Sequence, residues 1–210
     1  MKGLWVGCVG LLCAAPLAMA GDLFSFGIKA GVPLNDAFNT ATTANLSYLS
    51  NTKRFTGGVE FDVNLPMGFA VEVDGLYRRL DFESNQSVPT TFHQATTSNA
   101  WDFPLLLKWR FAPMGPVRPY VGAGATFRDV TNINQVTTFF TGGSSTSTGS
   151  PTELNQGFTT GFTAVGGIQL FKHISPEIRY TRWGWQTFRA VGTAFHSNQD
   201  QWDFLVGLTF

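Results

Sequence analysis

From residue 23 onward the chain changes character at every second position. In 100–111, Trp101, Phe103, Leu105, Leu107, Trp109 and Phe111 alternate with Asp102, Pro104, Leu106, Lys108 and Arg110. A period of two marks a strand with two unlike faces, because successive side chains leave a strand on opposite sides. Segment 24–32 sets Phe24, Phe26, Ile28, Ala30 and Val32 against Ser25, Gly27, Lys29 and Gly31. In 54–65, Phe55, Val59, Phe61, Val63 and Leu65 oppose Arg54, Thr56, Glu60, Asp62 and Asn64. In 69–82, Phe69, Val71, Val73 and Tyr77 oppose Ala70, Glu72, Asp74 and Arg78. Segments 118–130, 158–171, 174–187 and 200–210 repeat the pattern, the last with Trp202, Phe204, Val206, Leu208 and Phe210 against Asp203, Leu205, Gly207 and Thr209. Each is long enough to cross a bilayer at a tilt, where ~9–11 residues are needed. The pattern predicts an all-β, antiparallel transmembrane barrel of about eight strands.

The connections support that reading. Short turns fall at 65–68 (with Pro66), 112–117 (with Pro113 and Pro116) and 172–175, and long polar connections at 33–53, 83–99, 131–157 and 188–199. An even number of strands with short and long links alternating predicts periplasmic turns, extracellular loops and both termini on the periplasmic side. Residues 141–150 are Gly, Ser and Thr throughout. Such a stretch has little apolar surface to bury and is expected to be mobile.

Alternation alone does not say which face is inside, and a soluble barrel would hide its apolar residues. The polar face is rich in Gly and Thr with charges interspersed, which suits a narrow lumen, and the aromatics gather near strand ends as interfacial girdles do. Phe69, Trp109, Phe111, Tyr120, Phe171 and Phe210 are expected at the periplasmic rim. Tyr77, Trp101, Phe127, Tyr180, Trp183, Trp185 and Trp202 are expected at the outer one. The lumen then receives Lys29, Arg78, Lys108, Arg110, Arg128 and Arg179 together with Glu60, Asp62, Glu72, Asp74, Asp102, Glu177 and Asp203. An eight-stranded barrel has an interior that side chains fill. Unpaired charge there is costly, so these groups are expected to form a structural ion-pair network with no continuous pore. A gated polar path for small solutes is the alternative.

Residues 1–20 form a separate unit. Lys2, the apolar run from Leu4 to Leu17 and Ala18-Met19-Ala20 predict a secretory signal peptide cleaved before Gly21, leaving 21–210 as the outer-membrane β-barrel domain. A retained anchor or a lipoprotein signal at Cys13 are the alternatives. Both cysteines, Cys8 and Cys13, lie in this leader, so the domain has no disulfide or thiol chemistry. Fourteen basic and fourteen acidic residues leave a formal charge of zero, and no basic stripe marks a nucleic-acid partner. Mean hydropathy is only +0.03, as expected where apolar and polar residues alternate.

The closing stretch Trp202–Phe210, with Phe204, Val206, Leu208 and Phe210 at every second position, resembles the C-terminal signal by which outer-membrane barrels engage the barrel assembly machinery. Arg118-Pro119-Tyr120-Val121-Gly122-Ala123-Gly124 and Glu177-Ile178-Arg179-Tyr180-Thr181-Arg182-Trp183 are similar to strands of the outer membrane protein β-barrel domain superfamily, with its OmpA-like, OmpX-like and OmpW-like small barrels. The resemblance implies an integral barrel in the bacterial outer membrane, embedded in lipid that includes lipopolysaccharide. OmpW-like barrels have an apolar lumen, unlike the charged one expected here.

Candidate chemistry is sparse. Small lipid A deacylase barrels use a His and a Ser close in sequence, but His196 and Ser197 are adjacent, and neighbours in a strand point to opposite faces. His93 and His173 stand in no metal-binding spacing. Gly142-Gly143 lacks the lysine and helix of a phosphate loop. Arg79, Arg182 and Arg189, near the outer rim, could meet lipopolysaccharide phosphates. The expectation is a monomer without catalytic site, cofactor or metal, acting in a structural or surface-interaction role through its long loops. Competing readings are a small-solute channel, a lipid A-modifying enzyme and a soluble barrel for an apolar ligand.

Overall fold

The structure, a computed structural model, describes residues 23–39, 42–43, 46–50, 55–86, 92–111, 115–140, 145–149, 158–184 and 196–210. These form β1 (Phe24–Pro33), β2 (Phe38–Asn39), β3 (Thr42–Thr43), β4 (Leu46–Ser50), β5 (Thr56–Asn64), β6 (Phe69–Gln86), β7 (Phe92–Arg110), β8 (Val117–Phe139), β9 (Ser145–Gly149), β10 (Thr159–Leu170), β11 (Ile174–Trp183), β12 (His196–Ser197) and β13 (Asp200–Thr209), with a 3₁₀ turn at Pro66–Gly68. Eight of them close a ring in the order β1-β5-β6-β7-β8-β10-β11-β13, every pairing antiparallel. Closure is made by β1 on β13, from Gly27 opposite Thr209 to Pro33 opposite Asp203. A closed ring satisfies every strand internally and exposes no barrel edge, which hydrocarbon demands.

The faces are inverted relative to a soluble barrel. Phe26, Ile28, Phe61, Phe103, Leu105, Leu107, Val121, Ile178 and Leu208 are all two-fifths or more exposed on the outer wall, while Lys29, Glu60, Glu72, Asp74, Lys108, Glu177 and Arg179 are buried inside. No soluble fold would turn so much hydrocarbon to water and so many charges to its core, so the outer wall is a lipid face. Aromatic pairs bound it. Tyr77 packs on Trp101 at 5.3 Å and Tyr180 on Trp202 at 4.8 Å at one end, and Phe69 on Trp109 at 6.3 Å at the other. Phe69 and Tyr77 stand eight residues apart on β6. That is about 26 Å of strand, or roughly 20 Å of height at a ~40° tilt, close to the ~25 Å apolar band of such barrels.

Two aromatics depart from expectation. Tyr120 and Trp183 face the lumen, 3% exposed each, rather than either rim. Their strand parity decides it: Tyr120 shares a face with Gly122 and Trp183 with Thr181.

The expected loops are also partly strand. β6, β7 and β8 run on past the ring, through most of 83–99 and 131–139, and β4 and β9 pair along them. The Gly/Ser/Thr stretch is expected to be mobile; its Ser145–Gly149 part forms β9 by main-chain bonds to Gln135–Phe139, and 141–144 and 150 lie outside the described residues. A strand edge orders a partner through backbone groups, which need no apolar side chain. The leader 1–20, Trp185, Arg189 and Gly142-Gly143 lie outside the described residues.

Candidate functional site

The site follows from alternation plus closure: inward positions of opposed strands meet across the lumen. Lys29 of β1 is the hub. Its Nζ lies 3.0 Å from Glu60 Oε2 on β5, 3.0 Å from Glu72 Oε1 and 3.4 Å from Asp74 Oδ2 on β6, and 3.3 Å from Glu177 Oε1 on β11. Arg179, two residues beyond Glu177, reaches Glu72, Asp74 and Glu177 through Nη2 at 3.2, 2.8 and 2.6 Å. Lys108 of β7 pairs with Glu72 and, at 3.3 Å, with Glu177. Tyr120 completes the layer: its hydroxyl donates to Glu177 Oε2 at 2.8 Å, and its ring lies 4.6 Å beneath the Lys108 ammonium. Four carboxylates and three cations thus share one buried layer, where Coulomb attraction is stronger than in water.

Two further layers flank it. Toward the short turns, Arg110 stands 3.5 Å from Asp62 and donates to Asn64 Oδ1 at 2.5 Å. Thr209 donates to Glu60 Oε1 at 2.8 Å. Toward the long loops, Arg128 grips Asp102 with two bonds of 2.6 and 2.7 Å and stacks on Trp183 at 4.0 Å. Arg78 donates to Asp203 at 2.6 Å, and Gln201 bridges the two pairs by accepting from Arg128 and donating to Asp203. Above these, Leu80, Phe82, Ala100 and Val130 form an apolar plug.

The layers leave little space. A mouth of about 590 Å³ at the short-turn end, lined by Arg110, Arg118 and Lys172 among others, narrows past Arg110 to a void of about 10 Å³ between Asp62, Glu72, Lys108 and Tyr120. That is about the volume of one water. Some polar atoms have no hydrogen-bond partner among the described residues: Asp62 Oδ1, Asp74 Oδ1, Arg78 Nε, and Arg179 Nε and Nη1. Glu60, Glu72 and Asp74 bring carboxylate oxygens within 4.8 Å of one another, a spacing suited to a metal cation. The tethered Lys29 ammonium sits among them.

The remaining candidate residues lie apart. His93 Nε2 is 3.5 Å from Glu83, and His173 Nδ1 is 3.0 Å from the Thr209 carbonyl. The backbone of His196 and Ser197 pairs with Phe38 and Asn39, and their side chains lie outside the described set. Arg79 is bound to Asp81 at 3.0 Å, while Arg182 is exposed on the outer wall. Phe204 and Leu208 point outward from β13, and Phe210, just past its end, is exposed. Sequence reasoning missed Tyr120, Trp183 and Gln201 as lumen members, although parity with Arg118, Thr181 and Asp203 would have found them.

An inside-out ring of this kind is matched at the sequence level, where residues 19–184 fit the outer membrane protein beta-barrel domain. The chain belongs to that family. Its outer membrane barrel is similar in fold to the outer membrane protein OprG from Pseudomonas aeruginosa, with a TM-score of 0.57 at 11% identity over 90% of this chain and 97% of that one. It is also similar to Neisserial surface protein A (TM-score 0.41, 16% identity, covering 89% and 95%) and to Ail, the attachment invasion locus protein of Yersinia pestis (TM-score 0.36, 12% identity, covering 90% and 99%). No curated protein sequence matches it.

Proposed function

We propose that this outer membrane barrel is a closed scaffold that presents its long hairpins at the cell surface, and that the ion-pair lattice is a structural plug. The carrying observation is Lys29, wholly buried and held by carboxylates from three strands at the waist of the barrel. Opening a path there would strip several charges of their partners together, at several kcal/mol per group. Recognition then falls to the extended β6–β7 and β8–β9 hairpins, which a rigid barrel holds out from the bilayer. We further propose that the short turns are periplasmic, that residues 1–20 are removed on export, that the outward stripe of β13 is read by the assembly machinery, and that the barrel is a monomer in lipopolysaccharide-containing membrane.

Planar-bilayer recording tests the plug. The purified barrel is expected to be silent at physiological salt, and steady single-channel steps would refute the reading. One observation favours the gated polar path as a second reading: Asp74 Oδ1 and Arg179 Nε and Nη1, in the lattice itself, have no hydrogen-bond partner among the described residues, and water in a polar path would satisfy them. In that case, opening steps with cation preference are expected.

A further inference from the structure

We infer that the outer wall carries a binding groove for one phosphate-bearing, acylated lipid of the outer leaflet, headed by Arg182. The inference rests on the proposed orientation, with the long hairpins outside. The groove crosses β8, β10 and β11 on the lipid side and has a volume of about 650 Å³, within the ~300–1,000 Å³ typical of ligand sites.

The sequence makes this hollow locally. Over most of the wall, outward positions carry large side chains such as Phe103, Leu105 and Trp202. Here Ala125 and Gly184 take outward positions, the backbone of Gly124 and Gly161 forms the floor, and the lumen-facing Trp183 lies behind Gly161. Phe162, 57% exposed, walls one side, so the hollow is apolar where an acyl chain would lie.

Polarity enters at one end only. Thr160, Gln199 and Arg182 line that end, and no carboxylate is among the described lining residues. Arg182 stands one outward position beyond Tyr180, whose ring packs on Trp202 in the girdle. Two residues of tilted strand, about 7 Å along the chain, raise the guanidinium from the girdle to headgroup depth. Asp200 lies opposite Arg182 in register, its carboxylate accepts the Tyr180 hydroxyl at 2.6 Å, and Arg182 donates to that same hydroxyl, which leaves its remaining N–H groups for a ligand. Arg79 has the matching place beyond Tyr77 but is bonded to Asp81 and is not among the lining residues. A guanidinium favours phosphate through paired, charge-assisted hydrogen bonds. A phosphate at this depth, joined to chains that descend along an apolar hollow, is shared by phospholipids and lipid A, and the outer-leaflet position given by the proposed orientation selects lipid A.

The full-length barrel in nanodiscs of zwitterionic phospholipid is titrated with lipid A, dephosphorylated lipid A and phosphatidylglycerol, and retained lipid is read by native mass spectrometry. Wild type is expected to retain lipid A about tenfold better than either other lipid. Arg182→Gln should abolish the preference for phosphate. Ala125→Phe, which fills the hollow and leaves the charge, should lower lipid A retention about tenfold. Lys172→Gln, at the opposite end, should change nothing. Equal retention with and without phosphate, equal retention of phosphatidylglycerol, or wild-type behaviour of both groove variants overturns the inference. A barrel that embeds but shows no preference overturns this site alone. One that does not embed overturns the membrane reading beneath it.

Discussion

At the scale of the residue, the interior is a problem in charge balance. Lys29 answers four carboxylates at once, so its loss leaves Lys108 and Arg179 to hold them. Lys29→Met should therefore destabilise the folded barrel by about 3–5 kcal/mol, the cost of orphaning buried charge. A drop in the urea midpoint of the heat-modifiable band measures it, and an unchanged midpoint would mean that the lattice does not bear on stability. Parity put Lys29, Glu60, Glu72 and Glu177 on the polar face, and the Gly and Thr content of that face with the aromatic girdles made it the inner one. Which carboxylate each cation meets was not legible, because that depends on strand stagger across the lumen. Tyr120 and Trp183 show the converse error, where aromatic character was allowed to outweigh parity. Each has a polar tip that finds a partner inside, to Glu177 and Gln201 respectively.

At the scale of the element, one strand can be read from both sides. On β7, Leu105 lies midway between Trp101 and Trp109 and points to lipid, whereas Leu106 is 1% exposed and faces the lumen. Leu105→Arg should cost about 2–4 kcal/mol, as charge does at the bilayer midplane. Refolding midpoints in lipid vesicles test this, and a neutral effect would place that face away from hydrocarbon. The hairpins beyond the ring are a separate matter. Asp81 pairs with Thr97 above the closed register, so joining them by a two-residue turn should leave a heat-modifiable barrel. Its conductance should also remain silent, since closure lies lower, at the Lys29 layer. A barrel opened by that trimming would assign the closure to the hairpin and its Phe82 instead. The sequence marked these segments as polar connections because their alternation lapses. What orders them is main-chain pairing to a neighbour, a signal with no side-chain signature.

At the scale of the whole molecule, the inversion of faces is the central fact. The outward apolar band and the inward ionic layers belong to the same strands, so a chain of near-neutral hydropathy can live in a membrane. The character of the lumen is set by the ionic layers around Lys29. Period-two alternation, turn placement and aromatic spacing were enough by themselves to establish eight strands, their faces and a barrel, because each depends only on neighbours along the chain. The tertiary structure alone decided three things: that the charges meet around Lys29, that Tyr120 and Trp183 join them, and that small residues of β8, β10 and β11 leave a hollow under Arg182. All three depend on the stagger between strands far apart in sequence, which alternation within any one strand does not encode.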